Sequence, residues 1–182
     1  MRIILAAIAA CVALTALLLQ PTSAQGYQPP DLAVQRAAID RLAPMLGEWR
    51  GEVAVSFPEP MTVYQHERVE RDLSGLTLVI HGTGYAEADY SGEPVFEAMA
   101  VISFNEQSGL YEVRSYSGGH AVTARGEFLD DGRFRWSFAG GPMQFRYTAT
   151  FSDGAWHEVG ELSRDGGASW MQTIAMNLTP VS

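Results

Sequence analysis

The polar side chains with the clearest chemical potential lie in the stretch from residue 62 to residue 73. Tyr64, His66 and Arg68 alternate with other residues, so on a β-strand they share one face. A phenol, an imidazole and a guanidinium together predict an anion site, because guanidinium pairs with a carboxylate through two parallel hydrogen bonds. If this face points into an enclosed space, it suits the carboxylate of a fatty-acid-like ligand. The alternative is a solvated outer face with cross-strand ion pairs.

Other catalytic and metal-binding patterns are missing from the sequence. The histidines fall on separate predicted strands and form no His-x-His or His-Glu-x-x-His motif: His66, His81, His120 and His157. No Gly-x-Ser-x-Gly motif is present. Glu158 and Glu161 are three residues apart, which on a strand places them on opposite faces. We therefore predict no catalytic residue and no metal site, and keep an enzyme that uses His66 as its acid-base group as the alternative.

The composition excludes several further chemistries and disfavours one class of partner. The only cysteine is Cys11, and lysine is absent, which excludes Schiff-base chemistry and a lysine-dependent P-loop. We predict no cofactor. The net charge is −9, and without Arg2 it becomes 11 − 21 = −10. A surface this acidic repels phosphate backbones, so nucleic acid is not an expected partner.

The N-terminus predicts export to the periplasm or the medium. An apolar run spans residues 3–19, and Pro21 and small residues precede Gln25, which is typical of a secretory signal peptide over residues 1–24. No membrane span is expected after cleavage. Two alternatives stay open: an uncleaved N-terminal anchor, and a lipoprotein cleavage box ending at Cys11.

The elements that must position these side chains are one helix and a series of strands. Residues 25–30 predict a flexible lead, and Asp31 is a natural N-cap for an amphipathic helix over residues 31–43, which ends near Pro44. Alternation and turn residues then predict strands near 48–57, 62–73, 76–86, 94–104, 110–117, 119–129, 133–139, 142–152, 155–163 and 169–179.

About ten strands joined by hairpins, without helices between them, predict an all-β fold. Such a meander must close or leave two exposed edges, so residues 31–182 are predicted to form an antiparallel up-and-down β-barrel, with an open sandwich as the alternative. Ten aromatic or apolar residues are predicted to face inward: Phe96, Ile102, Phe134, Trp136, Phe138, Phe145, Tyr147, Phe151, Trp170 and Met176. Among these, Trp136 and Tyr147 join Tyr64, His66 and Arg68 as predicted ligand-binding residues.

Two segments carry a resemblance to a known superfamily. LAPMLGEWRG over residues 42–51 resembles the opening of lipocalin-like barrels, where a short helix precedes a Gly-x-Trp element, here Gly47-Glu48-Trp49. DGAWHEVGELSRDGGASW over residues 153–170 resembles the closing hairpin of an uncharacterised bacterial branch of that superfamily. The resemblance covers most of residues 42–179. It implies the barrel fold, and Trp49 as a plug at one end of the core.

A more distant resemblance connects the chain with nitrobindin-like haem barrels. They share the Leu-Gly-x-Trp-x-Gly opening, and in them a histidine of the C-terminal strands binds the iron. Here residues 169–179 contain no histidine, and His157 lies one strand earlier. The expected function is binding or carriage of a small apolar or amphipathic ligand inside the barrel. A structural or interaction domain with a filled core, whose Trp136 and Phe138 form an exposed apolar patch, is the remaining alternative.

Overall fold

Ten antiparallel strands pair with their neighbours in chain order, and the barrel closes where the first strand bonds to the last. The structure is a computed structural model and describes residues 29–181. The predicted signal peptide and residues 25–28 of the predicted lead lie outside the described residues. The strands are β1 (Gly47–Val55), β2 (Met61–Asp72), β3 (Thr77–Tyr85), β4 (Phe96–Asn105), β5 (Leu110–Ser117), β6 (His120–Phe128), β7 (Phe134–Gly140), β8 (Met143–Ser152), β9 (Ala155–Ser163) and β10 (Met171–Pro180).

The predicted fold class is confirmed. Each predicted strand is present, and its ends differ from the prediction by at most two residues. Closure between β1 and β10 runs from Trp49 opposite Pro180 to Val55 opposite Ile174. Because this seam is fully paired, the barrel has no free sheet edge there, and the open sandwich is excluded.

In the part of the chain that the structure describes, one helix, α1 (Leu32–Asp40), precedes the barrel. Asp31 caps it as predicted, since its Oδ1 accepts hydrogen bonds from the backbone N–H groups of Ala33 and Val34 at 2.9 and 3.2 Å. The helix ends three residues before the predicted end at residue 43. A 3₁₀ turn over Ala43–Met45 follows, and Pro44 fits its first turn because no backbone N–H is needed at that position.

The helix and the 3₁₀ turn cover one end of the barrel. Ile39 and Leu42 are fully buried there, and α1 packs against β3 and β4. Trp49 is buried and its Nε1 donates to the Met45 carbonyl at 2.9 Å, so it packs in the core at this end, as the resemblance implies. Within the described residues, none of the helices has the length and apolar character needed to cross a membrane.

A tyrosine ties the covering helix to the barrel. The Tyr111 hydroxyl donates a buried hydrogen bond of 2.7 Å to the Ala38 carbonyl near the end of α1. We expect Tyr111→Phe to lower the free energy of unfolding by about 1 kcal/mol, because a buried hydrogen bond is lost while the carbonyl keeps its bond from the Arg41 backbone N–H at 3.2 Å. Urea unfolding monitored by circular dichroism measures this loss. Tyr116→Phe is the control, since Tyr116 is exposed; equal losses in both variants would contradict the prediction.

Candidate ligand-binding cavity

The barrel encloses a cavity of about 540 Å³. Alternate residues of all ten strands line it, which is the arrangement expected when one face of each strand points inward. Most of the lining is apolar, and the polar contribution comes from six side chains: Gln65, Glu67, Ser115, Ser117, Tyr147 and Glu158. A few polar groups in an apolar concave space are typical of small-molecule sites.

The cavity opens at the end of the barrel opposite α1. Met61, Val95 and Phe96 line the cavity and are also 49, 51 and 43% exposed, so they lie at its mouth. At the other end, Met45 of the 3₁₀ turn is a lining residue and is buried. The cavity is therefore a deep pocket with an apolar mouth and a covered bottom. The alternative of a filled core is wrong for the part of the barrel that the structure describes.

Stacked aromatic rings form one wall of the cavity. Trp136 of β7 lies directly opposite Tyr147 of β8, and their rings stack with centroids 4.0 Å apart and planes 8° from parallel. Phe138 and Phe145 stack in the same way at 4.9 Å. The structure thus brings the predicted residues Trp136 and Tyr147 together in the cavity wall. Trp136 and Phe138 line the cavity, so the alternative prediction that they form an exposed apolar patch is wrong.

The other three predicted ligand-binding residues lie outside the cavity. Tyr64 packs edge-on against Tyr90, and Arg68 Nε lies 3.7 Å from Glu70 Oε1. His66 Nε2 lies 3.4 Å from Glu48 Oε2. The assumption that this face of β2 points into the lumen is wrong, and the alternative of an outer face with ion pairs is correct. His66 therefore does not supply an acid-base group inside the barrel, and the alternative of an enzyme that uses it there is not supported.

The inward face of β2 is the odd-numbered one. Val63 and Val69 are buried there, and Gln65 and Glu67 lie between them. Side chains alternate between the two faces of a strand. Because Val63 and Val69 point into the core, the odd-numbered residues between them also point inward. These two valines were the signal in the sequence that could have identified Gln65 and Glu67 as cavity residues.

Glu67 is held in the cavity wall by a single hydrogen bond. Gln65 Nε2 donates to its Oε1 at 2.8 Å, whereas Oε2 is buried without a hydrogen-bond partner. Burial raises the pKa of Glu67 from 4.5 to about 7, against the lowering effect of the Gln65 hydrogen bond. Gly82 of β3 faces Glu67 in the register, and a Cβ atom there would lie 2.7 Å from Oε1. The glycine therefore provides the space that the carboxyl group occupies.

Glu158 of β9 is the second carboxyl group of the cavity. It is partly accessible because it faces the cavity, yet protein surrounds it on its other sides. Burial and then the negative charge of Glu67 raise the pKa of Glu158 from 4.5 to about 8, while the indole of Trp156 lowers it. Trp156 Nε1 is buried and has no hydrogen-bond partner of good geometry. Burial, followed by the charge of Glu158, also raises the pKa of Tyr147.

The prediction that Glu158 and Glu161 lie on opposite faces of β9 is confirmed. Glu161 forms a two-point ion pair with Arg146 on the outside, with distances of 2.6 and 2.9 Å. The Arg146 guanidinium also lies 3.9 Å above the Trp170 ring. Trp170 is therefore on the outer surface, and the prediction that it faces inward is wrong. It precedes β10, so the alternation of that strand does not determine its direction.

Phe145 and Phe151 face inward, as predicted, but are not among the cavity-lining residues. Phe145 stacks behind Phe138, and Phe151 packs against Trp156 with centroids 5.3 Å apart. The remaining inner residues line the cavity as predicted: Phe96, Ile102, Phe134, Trp136, Phe138, Tyr147 and Met176.

The residues present do not fit the haem ligand implied by the nitrobindin resemblance. Over residues 29–181, the cavity lining includes no histidine. His157 is exposed, and its Nδ1 lies 2.6 Å from Asn177 Oδ1 on the outer face. In the same range, no three His, Cys, Asp or Glu side chains are grouped so that they could hold a metal ion.

Comparison with known proteins identifies the fold. No family model and no curated protein match the sequence. The structure is similar to Rv2717c from M. tuberculosis, with a TM-score of 0.64 and 16% identity over 84% of this chain and 100% of that one. It is also similar to the S-type phycobiliprotein lyase CPES from Guillardia theta, with a TM-score of 0.58 and 8% identity over 85% and 99%. The chain has the fold of a lipocalin-like β-barrel.

Proposed function

We propose that this protein is exported and binds or carries a small apolar or amphipathic molecule inside its barrel. The observation that carries the proposal is the cavity of about 540 Å³, which is open at an apolar mouth and covered at its bottom. Its volume lies within the range typical of small-molecule sites. The signal-peptide pattern of residues 1–24 supports export.

The aromatic wall supports an apolar ligand body. Trp136 and Tyr147 line the cavity with rings that stack on each other, and aromatic rings bury much apolar area. Burial of apolar area contributes roughly 25 cal/mol per Å², so contact with this wall favours the binding of an apolar ligand body.

Filling the cavity is expected to abolish binding. Ala100 of β4 lines the cavity, whereas Val101, the next residue, belongs to the outer face. We expect Ala100→Trp to weaken binding of the neutral probe N-phenyl-1-naphthylamine by about tenfold or more, because the indole occupies the ligand's space. Fluorescence titration of the purified chain measures this change.

Val101→Trp is the matched control and is expected to bind the probe as the unaltered chain does. Circular dichroism verifies that both variants are folded, and Ala98→Phe replaces Ala100→Trp if that variant is not, because Ala98 lines the same cavity. Equal binding by the cavity-filling and control variants, or no binding by the unaltered chain, would overturn the proposed function. Native mass spectrometry of protein purified from its own host then identifies the natural ligand.

A further inference from the structure

Over residues 29–181, the cavity is lined by two carboxyl groups and by no group of opposite charge. Glu67 and Glu158 are on β2 and β9, which are separated in the sheet by β1 and β10, and both line the same cavity. Among the described residues that line it, no arginine or histidine is present, and Tyr147 is the only other titratable side chain. A buried carboxyl group without a counter-charge is costly unless a proton or a bound partner neutralises it.

One oxygen of Glu67 has no hydrogen-bond partner among the described residues. Gln65 occupies Oε1, whereas Oε2 is buried and accepts no hydrogen bond. Buried carboxylate oxygens in folded proteins usually have partners, so an unsatisfied one in a cavity wall indicates the position of a donor supplied by a ligand. Gly82 leaves room for the carboxyl group itself, because a Cβ atom there would lie 2.8 Å from Oε2.

The carboxyl groups of the cavity favour a ligand that carries a positive charge. An ionised carboxyl group repels a carboxylate ligand, and among the described residues no guanidinium lines the cavity, since Arg68 lies on the outside. A protonated amine instead forms charge-assisted hydrogen bonds with carboxylates. The stacked rings of Trp136 and Tyr147 add an apolar surface in the same cavity.

We propose that the ligand belongs to the class of amphipathic amines, with an apolar, ring-sized body against the aromatic wall and a protonated nitrogen between Glu67 and Glu158. This inference rests on the proposed function, since it specifies what the cavity binds. Where a carboxyl group still holds its proton, the ammonium group keeps all of its own protons and the carboxyl proton passes to the solvent. No covalent bond changes.

Three probes with one ring system test the charge requirement separately from cavity binding. They are 9-(aminomethyl)anthracene, 9-anthracenemethanol and 9-anthracenecarboxylic acid, titrated against the full chain by fluorescence at about neutral pH. We expect the amine to bind at least about tenfold more tightly than the alcohol, and the acid to bind most weakly. Equal binding of amine and alcohol overturns the inference and leaves the proposed function standing. Binding of none of the three overturns both.

Variants connect the preference with the two carboxyl groups. In Glu67→Gln/Glu158→Gln, whose side chains keep their shape, the ratio of amine to alcohol affinity is expected to fall to about one. Glu161→Gln, a change of the same type on the outer face of β9, is expected to keep the ratio of the unaltered chain. A preference that survives in the double variant overturns the inference.

Proton release gives a second readout. Calorimetric titration of the amine near pH 6.5 in two buffers of different ionisation enthalpy is expected to give different heats for the unaltered chain, because carboxyl protons pass to the buffer. The double variant is expected to give equal heats after correction for the amine. A dependence of the heat on the buffer that is the same in the double variant would overturn the inference.

Discussion

Replacing Glu67 and Glu158 together with glutamine is expected to make the protein more stable near pH 8.5 than the unaltered chain, and to change its stability little near pH 5. In the folded protein, the pKa values of Glu67 and Glu158 are raised from 4.5 to about 7 and about 8. Between pH 4.5 and 8 the folded state therefore binds more protons than the unfolded chain. Stability must then fall as the pH rises through this window.

The rise in the pKa of Glu67 from 4.5 to about 7 alone corresponds to about 3 kcal/mol of unfolding free energy, which is lost as the pH rises through this range. The two groups repel each other, so their titrations are coupled and the loss belongs to the pair. Glutamine carries no charge, and the double variant is therefore expected to keep nearly constant stability over the same window. Urea unfolding at several pH values between about 5 and 9 measures both curves.

Glu161→Gln is the control for this prediction as well. The hydrogen bond from Arg146 holds the pKa of Glu161 below its usual value, so its contribution to stability is present above pH 4.5 and is lost only as the pH falls further. Its removal is expected to shift the whole curve between about pH 5 and 9 without changing the slope. Parallel curves for the double variant and the unaltered chain would show that the cavity carboxyl groups do not titrate as described.

Phe134→Ala is expected to cost about 3–5 kcal/mol of unfolding free energy, a large share of the stability of an ordinary domain. Phe134 is 1% exposed, and Tyr111 and Phe128 pack edge-on against it at 5.3 and 5.2 Å. Gly126 leaves no Cβ in the way of its ring. Phe134 borders the cavity, but its ring is almost fully enclosed, so deleting it removes these contacts and extends the empty space.

Phe138→Ala provides the comparison on the same face of β7. Phe138 is only partly buried and faces the cavity, so its ring already has empty space beside it. We expect a clearly smaller loss of stability than for Phe134→Ala, together with weaker binding of the apolar probe. Denaturant midpoints and probe titration of both variants measure the two effects. A similar loss of stability in both variants would contradict the view that the packed core lies at the covered end.

Which face of β2 points into the barrel could not be predicted from the residues of β2 alone. Both faces of this strand carry charged residues, and a shift by one residue exchanges the faces, so composition alone favoured the face with Tyr64, His66 and Arg68. Pairing with β1 places Glu67 opposite Trp49, whose buried ring marks the inner face. The choice depends on a neighbouring strand, which is not local information.

The pair of cavity carboxyl groups could not be predicted for a related reason. Glu67 and Glu158 are more than ninety residues apart in the chain, and only closure of the barrel brings β2 and β9 to one lumen. Trp156 and Gly160, which share the parity of Glu158, indicated its inward direction. No local pattern indicated that its partner was Glu67.

Turn residues, caps and side-chain alternation act over a few residues, which is why the amino-acid sequence predicts the ten strands, the Asp31 cap of the helix and the opposite directions of Glu158 and Glu161. The presence of a cavity, and the fact that acids and not Arg68 face it, depend on the closed barrel. The cavity volume depends on residues from all ten strands, whereas the sign of its charge depends on two carboxyl groups that are distant in the chain. Both properties exist only once strand register and closure are set.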